Sequence, residues 1–119
     1  MIRLTLSYPP QTNHMYTVAR GRKIKSGKYR EWLDNQGWAV AHQFMLSGQS
    51  GLPGKFRVRF GVERPDRRRR DLDNLLKPLM DALVKGGAIA DDSNAESISI
   101  SWMPREGNPP VVHVEIEEI

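Results

Sequence analysis

The sequence contains no cysteine, which excludes a disulfide framework, a thiolate zinc site, an iron–sulfur cluster and a Cys nucleophile. Nor does it contain an apolar run approaching the roughly 18 to 20 residues that span a bilayer. Met1 leads directly into alternating, strand-like sequence rather than a charged and then apolar leader, so membrane insertion and secretion are disfavoured and a cytoplasmic location is expected. Acid is scarce early in the chain. Residues 1–90 carry seven Asp and Glu against 17 Lys and Arg, a balance of +10, whereas residues 91–119 carry seven acids and one Arg, a balance of −6.

The composition is that of a globular protein. With 119 residues, 39% hydrophobic and 27% charged, the chain suits one domain with a modest core. Its excess of positive charge falls in two clusters: Arg20, Arg22, Lys23, Lys25, Lys28 and Arg30, and Arg64 with Arg67, Arg68, Arg69 and Arg70. Such concentration suits a polyanion such as nucleic acid. A solvated surface accounts equally well for a basic run taken alone.

Hydrophobic periodicity places the elements. Ile2, Leu4, Leu6 and Tyr8 alternate with polar residues and stop at Pro9-Pro10, the period of a half-buried strand. Residues 11–27 have no apolar period and much positive charge, and read as a mobile basic loop that orders on an anionic partner or simply lies on the surface. Tyr16, in this loop, is a candidate for stacking on an unpaired base. From Lys28 to Leu46 the residues Tyr29, Trp32, Leu33, Val40, Phe44 and Met45 predict an amphipathic helix. Phe56, Val58 and Phe60 mark a second strand. Leu72 to Val84 gives the cleanest helical stripe before Gly86-Gly87, although Pro78 conflicts with an ideal helix and predicts a kink or a late start. Ile98–Met103 and Val111–Ile116 read as strands of a terminal hairpin. The expected architecture is α+β: a single domain over 1–119, with a small mixed or antiparallel sheet packed against two helices. Trp32, Trp38, Phe44 and Trp102 sit in periodic segments and are expected in the core. His14, His42 and His113 show no metal-ligand spacing.

The chemistry is concentrated between Pro65 and Lys77 and at Asp91-Asp92. Divalent magnesium takes hard oxygen ligands, commonly one or two carboxylates, so a few aspartates from separate elements suffice. Asp71 and Asp73 would point about 200° apart on a regular helix, so sharing a metal requires a strand end or an irregular entry turn. Asp91 and Asp92 follow the glycine turn, where the returning chain can approach the helix entrance. Four arginines before two aspartates make a poor stability device, because exposed ion pairs contribute only about 0–1 kcal/mol each. A phosphate-binding rim around a metal site explains both signs of charge. Lys77 shares a helix face with Asp73 and Asp81. It either offsets charge on a phosphate or pairs with one of these acids; Asp81 reads as a structural partner.

Taken together these residues resemble a known family. Asp66 to Lys77 matches D-R-R-R-R-D-L-D-N-L-x-K with Leu76 at the variable position, Asp81 to Lys85 matches D-A-L-x-K, and Ala90 to Asp92 gives A-D-D. With Pro9-Pro10 followed by Asn13, the chain is similar over nearly its whole length to RusA-family Holliday junction resolvases. The resemblance implies a small homodimeric endonuclease, free of organic cofactors, that binds four-way junction DNA. With Mg²⁺, or Mn²⁺ in its place, it would nick two opposing strands symmetrically in DNA recombination and repair. It puts the catalytic and metal-binding acids at Asp71, Asp73 and Asp92 and the functional lysine at Lys77, with Asp91 a weaker candidate. Arg67, Arg68, Arg69 and Arg70, with Arg20, Arg22, Lys23, Lys25 and Lys28, would contact DNA phosphates. Pro78 and the loop after Pro10 depart from the pattern.

Two rival readings belong to other classes. One is a non-catalytic basic DNA-binding module in which the aspartates merely cap helices and offset the arginines. The other is a metal-dependent nuclease acting on ordinary duplex or flap DNA. Loss of cleavage with retained binding in Asp71→Asn separates the first from a nuclease, and preference for four-way junctions over linear duplex separates the second.

Overall fold

The computed structural model describes residues 1–11 and 14–119; Asn13 of the amino-terminal motif lies outside them. Four strands form the main sheet: β1 (Ile2–Ser7), β4 (Phe56–Glu63), β5 (Ala95–Met103) and β6 (Val111–Glu118), in the order β1-β6-β4-β5. β6 runs antiparallel to both β1 and β4, with Leu4 opposite Val114 and Phe60 opposite Val114 on its other side, while β4 and β5 are parallel. Helices α1 (Gly27–Ser47) and α2 (Leu76–Lys85) are packed against each other, and the sheet's apolar face closes the core. The α+β class and the mixed sheet agree with the sequence reading.

Alternation explains which face is buried. Ile2, Leu4 and Leu6, then Phe56, Val58, Phe60 and Val62, then Val112, Val114 and Ile116 are all buried, while Arg3, Arg57 and Arg59 between them face solvent. Each such apolar side chain contributes about 1.5–3 kcal/mol relative to exposure. The expected terminal hairpin is not formed, because β4 separates β5 from β6. Burial decides the pairing: β6 supplies three fully apolar inward residues fit for the sheet interior, whereas Ser-rich β5 leaves Ile98 44% exposed and suits an edge. A parallel β4–β5 pair requires a crossover, which α2 provides.

Residues 14–27, within the stretch read as a loop without apolar period, depart from that reading. They contain the strands β2 (Tyr16–Ala19) and β3 (Arg22–Lys25), paired from Tyr16↔Lys25 to Ala19↔Arg22. Arg20 and Gly21, at φ 52° and 74°, make the two-residue turn with both residues left-handed that a tight hairpin favours. Nearly every side chain of the ribbon faces solvent, so no apolar alternation betrays it. Met15, buried, and a 2.8 Å bond from Ser26 N–H to the Met15 carbonyl tie its base to the core.

Helix α1 starts where Ser26 Oγ accepts from the Tyr29 N–H at 3.1 Å and stops at left-handed Gly48. Its buried stripe is Tyr29, Leu33, Gln36 and Val40, spaced by three and four residues. Trp32 and Phe44 pack partly buried against the core, as does Trp102 of β5. Trp38 does not: it is 78% exposed, on the opposite side of the helix from Tyr29 and Val40, as is Met45. At Pro78 the expectation of a late helix start holds. A 3₁₀ turn over Leu72–Leu75 precedes α2, which begins at Leu76, so Pro78 falls in the first turn where its missing N–H costs nothing. Gly86, just past α2, brings the helices close; a Cβ there would meet the Val40 Cβ at 2.5 Å.

Candidate active site

The arginine run is shaped by one acid. Asp66 Oδ1 accepts from the Arg68 N–H at 2.9 Å and from Arg70 Nε at 3.2 Å, and its Oδ2 accepts from Arg70 Nη2 at 2.6 Å. This paired bond to Arg70, with the Arg68 amide, outweighs burial and holds the Asp66 carboxyl down to about 2. Arg70 is thereby committed and half-buried, whereas Arg67, Arg68 and Arg69 remain exposed.

Asp71 lies just before the 3₁₀ turn in extended backbone, at φ −95° and ψ 117°, and makes no capping bond with its side chain. Asp73 lies inside that turn. One extended and one 3₁₀ residue form the irregular entry that a regular helix would deny, so the opposed orientations of an ideal helix do not apply. Asp92 opens a second 3₁₀ turn, Asp92–Asn94. Its neighbour Asp91 is the cap of that turn: Asp91 Oδ1 accepts from the Ser93 N–H at 2.9 Å, and this bond is the main cause of its lowered pKa. Both carboxylates are exposed, and the cap of this turn is made by Asp91.

Lys77, in the first turn of α2, donates to Asp81 Oδ1 at 3.1 Å, the pairing allowed for on sequence grounds. Asp81 Oδ2 also accepts from the Tyr29 hydroxyl at 2.6 Å. Burial, then this hydrogen bond, pushes the Tyr29 hydroxyl well above its usual range. The bond to Asp81 raises Lys77 against the opposing effect of burial, with a further contribution from the charge of Asp92. Lys77 therefore lies within electrostatic reach of Asp92.

Two clefts divide the acids. Asp92, Asp91 and Asp81 line one of about 320 Å³ with Lys25 and Lys85. Asp71 lines another of about 380 Å³ with Tyr8, Pro10, Gln11, Arg70 and Asn74. The side chains of Asp71, Asp73 and Asp92 do not converge as a ligand set. Among the described residues the acidic and histidine groups whose ligand atoms all lie within 4.8 Å of one another are Glu63, Glu106 and His113. The chemistry of Asp71, Asp73 and Asp92 nonetheless fits a hard divalent cation. They are exposed carboxylates, and among the described residues none is held in an ion pair.

The two basic clusters meet. Lys28 and Arg70 line one groove of about 460 Å³ with Tyr8, Pro9, Pro10, Gln11, His14, Trp32 and Pro65. On the ribbon, Arg20, Arg22, Lys23 and Lys25 are exposed, and Lys25 reaches the cleft of Asp92. Tyr16 is not the free stacking residue expected of it. It is half-buried, edge-on to Tyr29 at 5.8 Å between centroids, with Lys23 Nζ 4.4 Å above its ring.

Sequence reading missed the trio around His113. His113 Nε2 lies 2.7 Å from Oε2 of Glu63, a carboxylate only 2% exposed. The bond to His113, and the backbone N–H groups of Val111 and Glu106, hold Glu63 below the usual carboxylate range despite its burial. These groups come from β4, β6 and the β5–β6 connection, so no local spacing signals them.

A family model described as "Endodeoxyribonuclease RusA" matches residues 7–117. The "Crossover junction endodeoxyribonuclease RusA" of Escherichia coli (strain K12) is 36% identical over 101 residues, covering 85% of this chain and 82% of its own length. Proteins of the same name from Shigella sonnei (strain Ss046) and Enterobacteria phage 82 match at the same identity and coverage.

Proposed function

The chain belongs to the RusA endodeoxyribonuclease family, and from that premise we propose that it is a metal-dependent, structure-selective endonuclease that resolves four-way DNA junctions by paired nicks in opposing strands. The observation that carries the metal-dependent part is the state of the three aspartates. Asp71 occupies a capping position without capping, Asp73 lies within the adjoining turn, and Asp92 is left exposed while Asp91 takes the cap. In a pure binding module these acids would be spent on caps and arginines; within the arginine run the acid that holds an arginine is Asp66.

Asp71, Asp73 and Asp92 would hold Mg²⁺, or Mn²⁺ in its place. The bound ion would supply Lewis-acid stabilisation of a phosphodiester transition state and a water of lowered pKa. Lys77 presents a cation within electrostatic reach of Asp92, where it offsets charge on the scissile phosphate or the leaving oxygen. Asp81 acts through Lys77 as a positioning residue, and Tyr29 fixes Asp81 in turn. Arg67, Arg68 and Arg69, with the ribbon residues Arg20, Arg22, Lys23 and Lys25 and with Lys28, bind flanking phosphates and set the position of the DNA more than its sequence. A two-fold homodimer would put one site at each of two opposed junction strands. In this reading the enzyme works in the cytoplasm in recombination and repair.

The test is Asp71→Asn measured for both binding and cutting. Junction affinity should stay within about threefold of wild type, or increase, since one negative charge near phosphates is removed, while metal-dependent cleavage is lost. Full cleavage by the variant would refute the assignment of the acids.

A further inference from the structure

The two edges of the main sheet are treated differently. Along β1 the outward backbone groups are met by glutamine side chains. Thr5 N–H donates to Gln43 Oε1 at 2.8 Å and the Thr5 carbonyl accepts from Gln43 Nε2 at 2.9 Å; Ser7 N–H donates to Gln36 Oε1 at 2.8 Å, and the Met1 carbonyl accepts from Gln49 Nε2 at 3.2 Å. Three amides thus stand where a further strand would pair. Along β5, among the described residues, no side chain does this for residues 96 to 101.

β5 is also built unlike a protected edge. Protected edges carry Lys or Pro or are short. This one runs nine residues, has no Lys or Pro, and holds one charge, Glu96. Its centre reads Ser97-Ile98-Ser99-Ile100-Ser101, the same in both directions about Ser99. Ile98 is 44% exposed although its register partner Val58 is 1% exposed and lies on the same apolar face.

We propose that the β5 edge is where two copies of this chain associate, by antiparallel pairing about a two-fold axis through Ser99, so that two four-stranded sheets become one. This rests on the homodimer of the function proposed above and adds the place where the copies meet. In this register Ser99 faces Ser99 of the partner subunit, and Ile98 faces Ile100 of the partner subunit. The self-complementarity that a two-fold interface requires is therefore present in the strand itself. Charge agrees with this register. Glu96 falls opposite Trp102 of the partner subunit, and the Arg64 guanidinium lies 4.8 Å over the Trp102 ring, so acid meets base. Among the described residues Glu96 holds only an exposed pair with Lys55 in its own copy, at 3.2 Å. The arrangement also bears on the site. Asp92 lies three residues before β5, and the turn carrying Asp73 packs against this strand, so a strand fixed by pairing fixes both acid-bearing turns.

Because the chain has no cysteine, Ser99→Cys reports the contact directly. Under mild oxidation it should give a disulfide-linked dimer on a non-reducing gel, while Thr5→Cys on the opposite edge should not. In sedimentation equilibrium the wild type should be dimeric and Ile98→Lys, exposed in the single chain and so tolerable to its fold, should weaken the dimer about 30-fold or more. A dimer that neither forms the disulfide in the Ser99→Cys variant nor responds to Ile98→Lys would overturn this interface and leave the homodimer standing. A monomeric wild type would overturn the interface and the homodimer together. Junction cleavage by that monomer would then show whether the nuclease reading survives independently.

Discussion

The ammonium of Lys77 lies 3.1 Å from Oδ1 of Asp81, one turn further along α2, and the same carboxylate accepts the Tyr29 hydroxyl at 2.6 Å. Asp81 therefore has two tasks that substitution can separate. Asp81→Asn keeps an acceptor for Tyr29 but loses the ion pair, and should lower the cleavage rate about tenfold with junction affinity nearly unchanged, the size of a misplaced charge rather than a lost one. Asp81→Ala also strands a buried hydroxyl and should cost about 1–3 kcal/mol in urea unfolding. Adding Tyr29→Phe to Asp81→Ala should recover part of that loss.

The helix contact at Gly86 gives a packing prediction. Its backbone is helical, so alanine brings no conformational penalty, but the added Cβ would meet Val40 Cβ at 2.5 Å. Gly86→Ala should destabilise by about 1–3 kcal/mol through overpacking. Val40→Ala in the same chain keeps the Cβ and removes only the two methyls at 2.8 and 3.1 Å, so it should recover part of the loss and make the double-mutant cycle non-additive.

Acid unfolding should report Asp66. Its folded pKa, about 2, is depressed below the ordinary 3.8, so its contribution is present above about pH 3.8 and is lost as pH falls through 2. Wild type should exceed Asp66→Asn in stability at pH 6, and the difference should shrink across that window. A difference independent of pH would contradict the role given to the Arg70 pair.

The arginines should divide by salt response. Arg67, Arg68 and Arg69 are exposed, and each Ala substitution should weaken binding of all DNA sequences alike and reduce the slope of log affinity against log salt by about 0.7–0.9. Arg70 is tied to Asp66. Arg70→Ala should instead lower thermal stability and disturb cleavage through the position of Asp71.

Much of this was legible in the sequence because one face of each main element is buried. Alternation located β1, β4 and β6, and the leucine stripe with Pro78 located both α2 and its late start. The ribbon from Tyr16 to Lys25 was not legible, since a strand with both faces in solvent carries no period. Pairing partners were not legible either: β5 and β6 both alternate, and the choice of β4 as neighbour to each depends on how much of the core each covers. Trp38 broke the helical stripe and proved exposed, so the period was a better guide than residue type. At the site, spacing alone did not separate Asp91 from Asp92; the family resemblance favoured Asp92, and the bond from Ser93 N–H assigns the cap to Asp91. Glu63 and His113 meet only through the register of β4 with β6 and the connection that covers them.

Junction resolution by a metal held at Asp71, Asp73 and Asp92 is the proposal from which the roles of Lys77 and the arginines follow. Its most direct measurement compares cleavage of an end-labelled synthetic four-way junction with a matched linear duplex, in Mg²⁺, in Mn²⁺ and in chelator, by wild type and Asp73→Asn. Paired nicks at symmetric positions in opposing strands, dependent on metal, absent from the duplex and lost in the variant, are the predicted result. Equal cutting of both substrates would contradict junction selectivity, and binding without cleavage in either metal would contradict the enzyme.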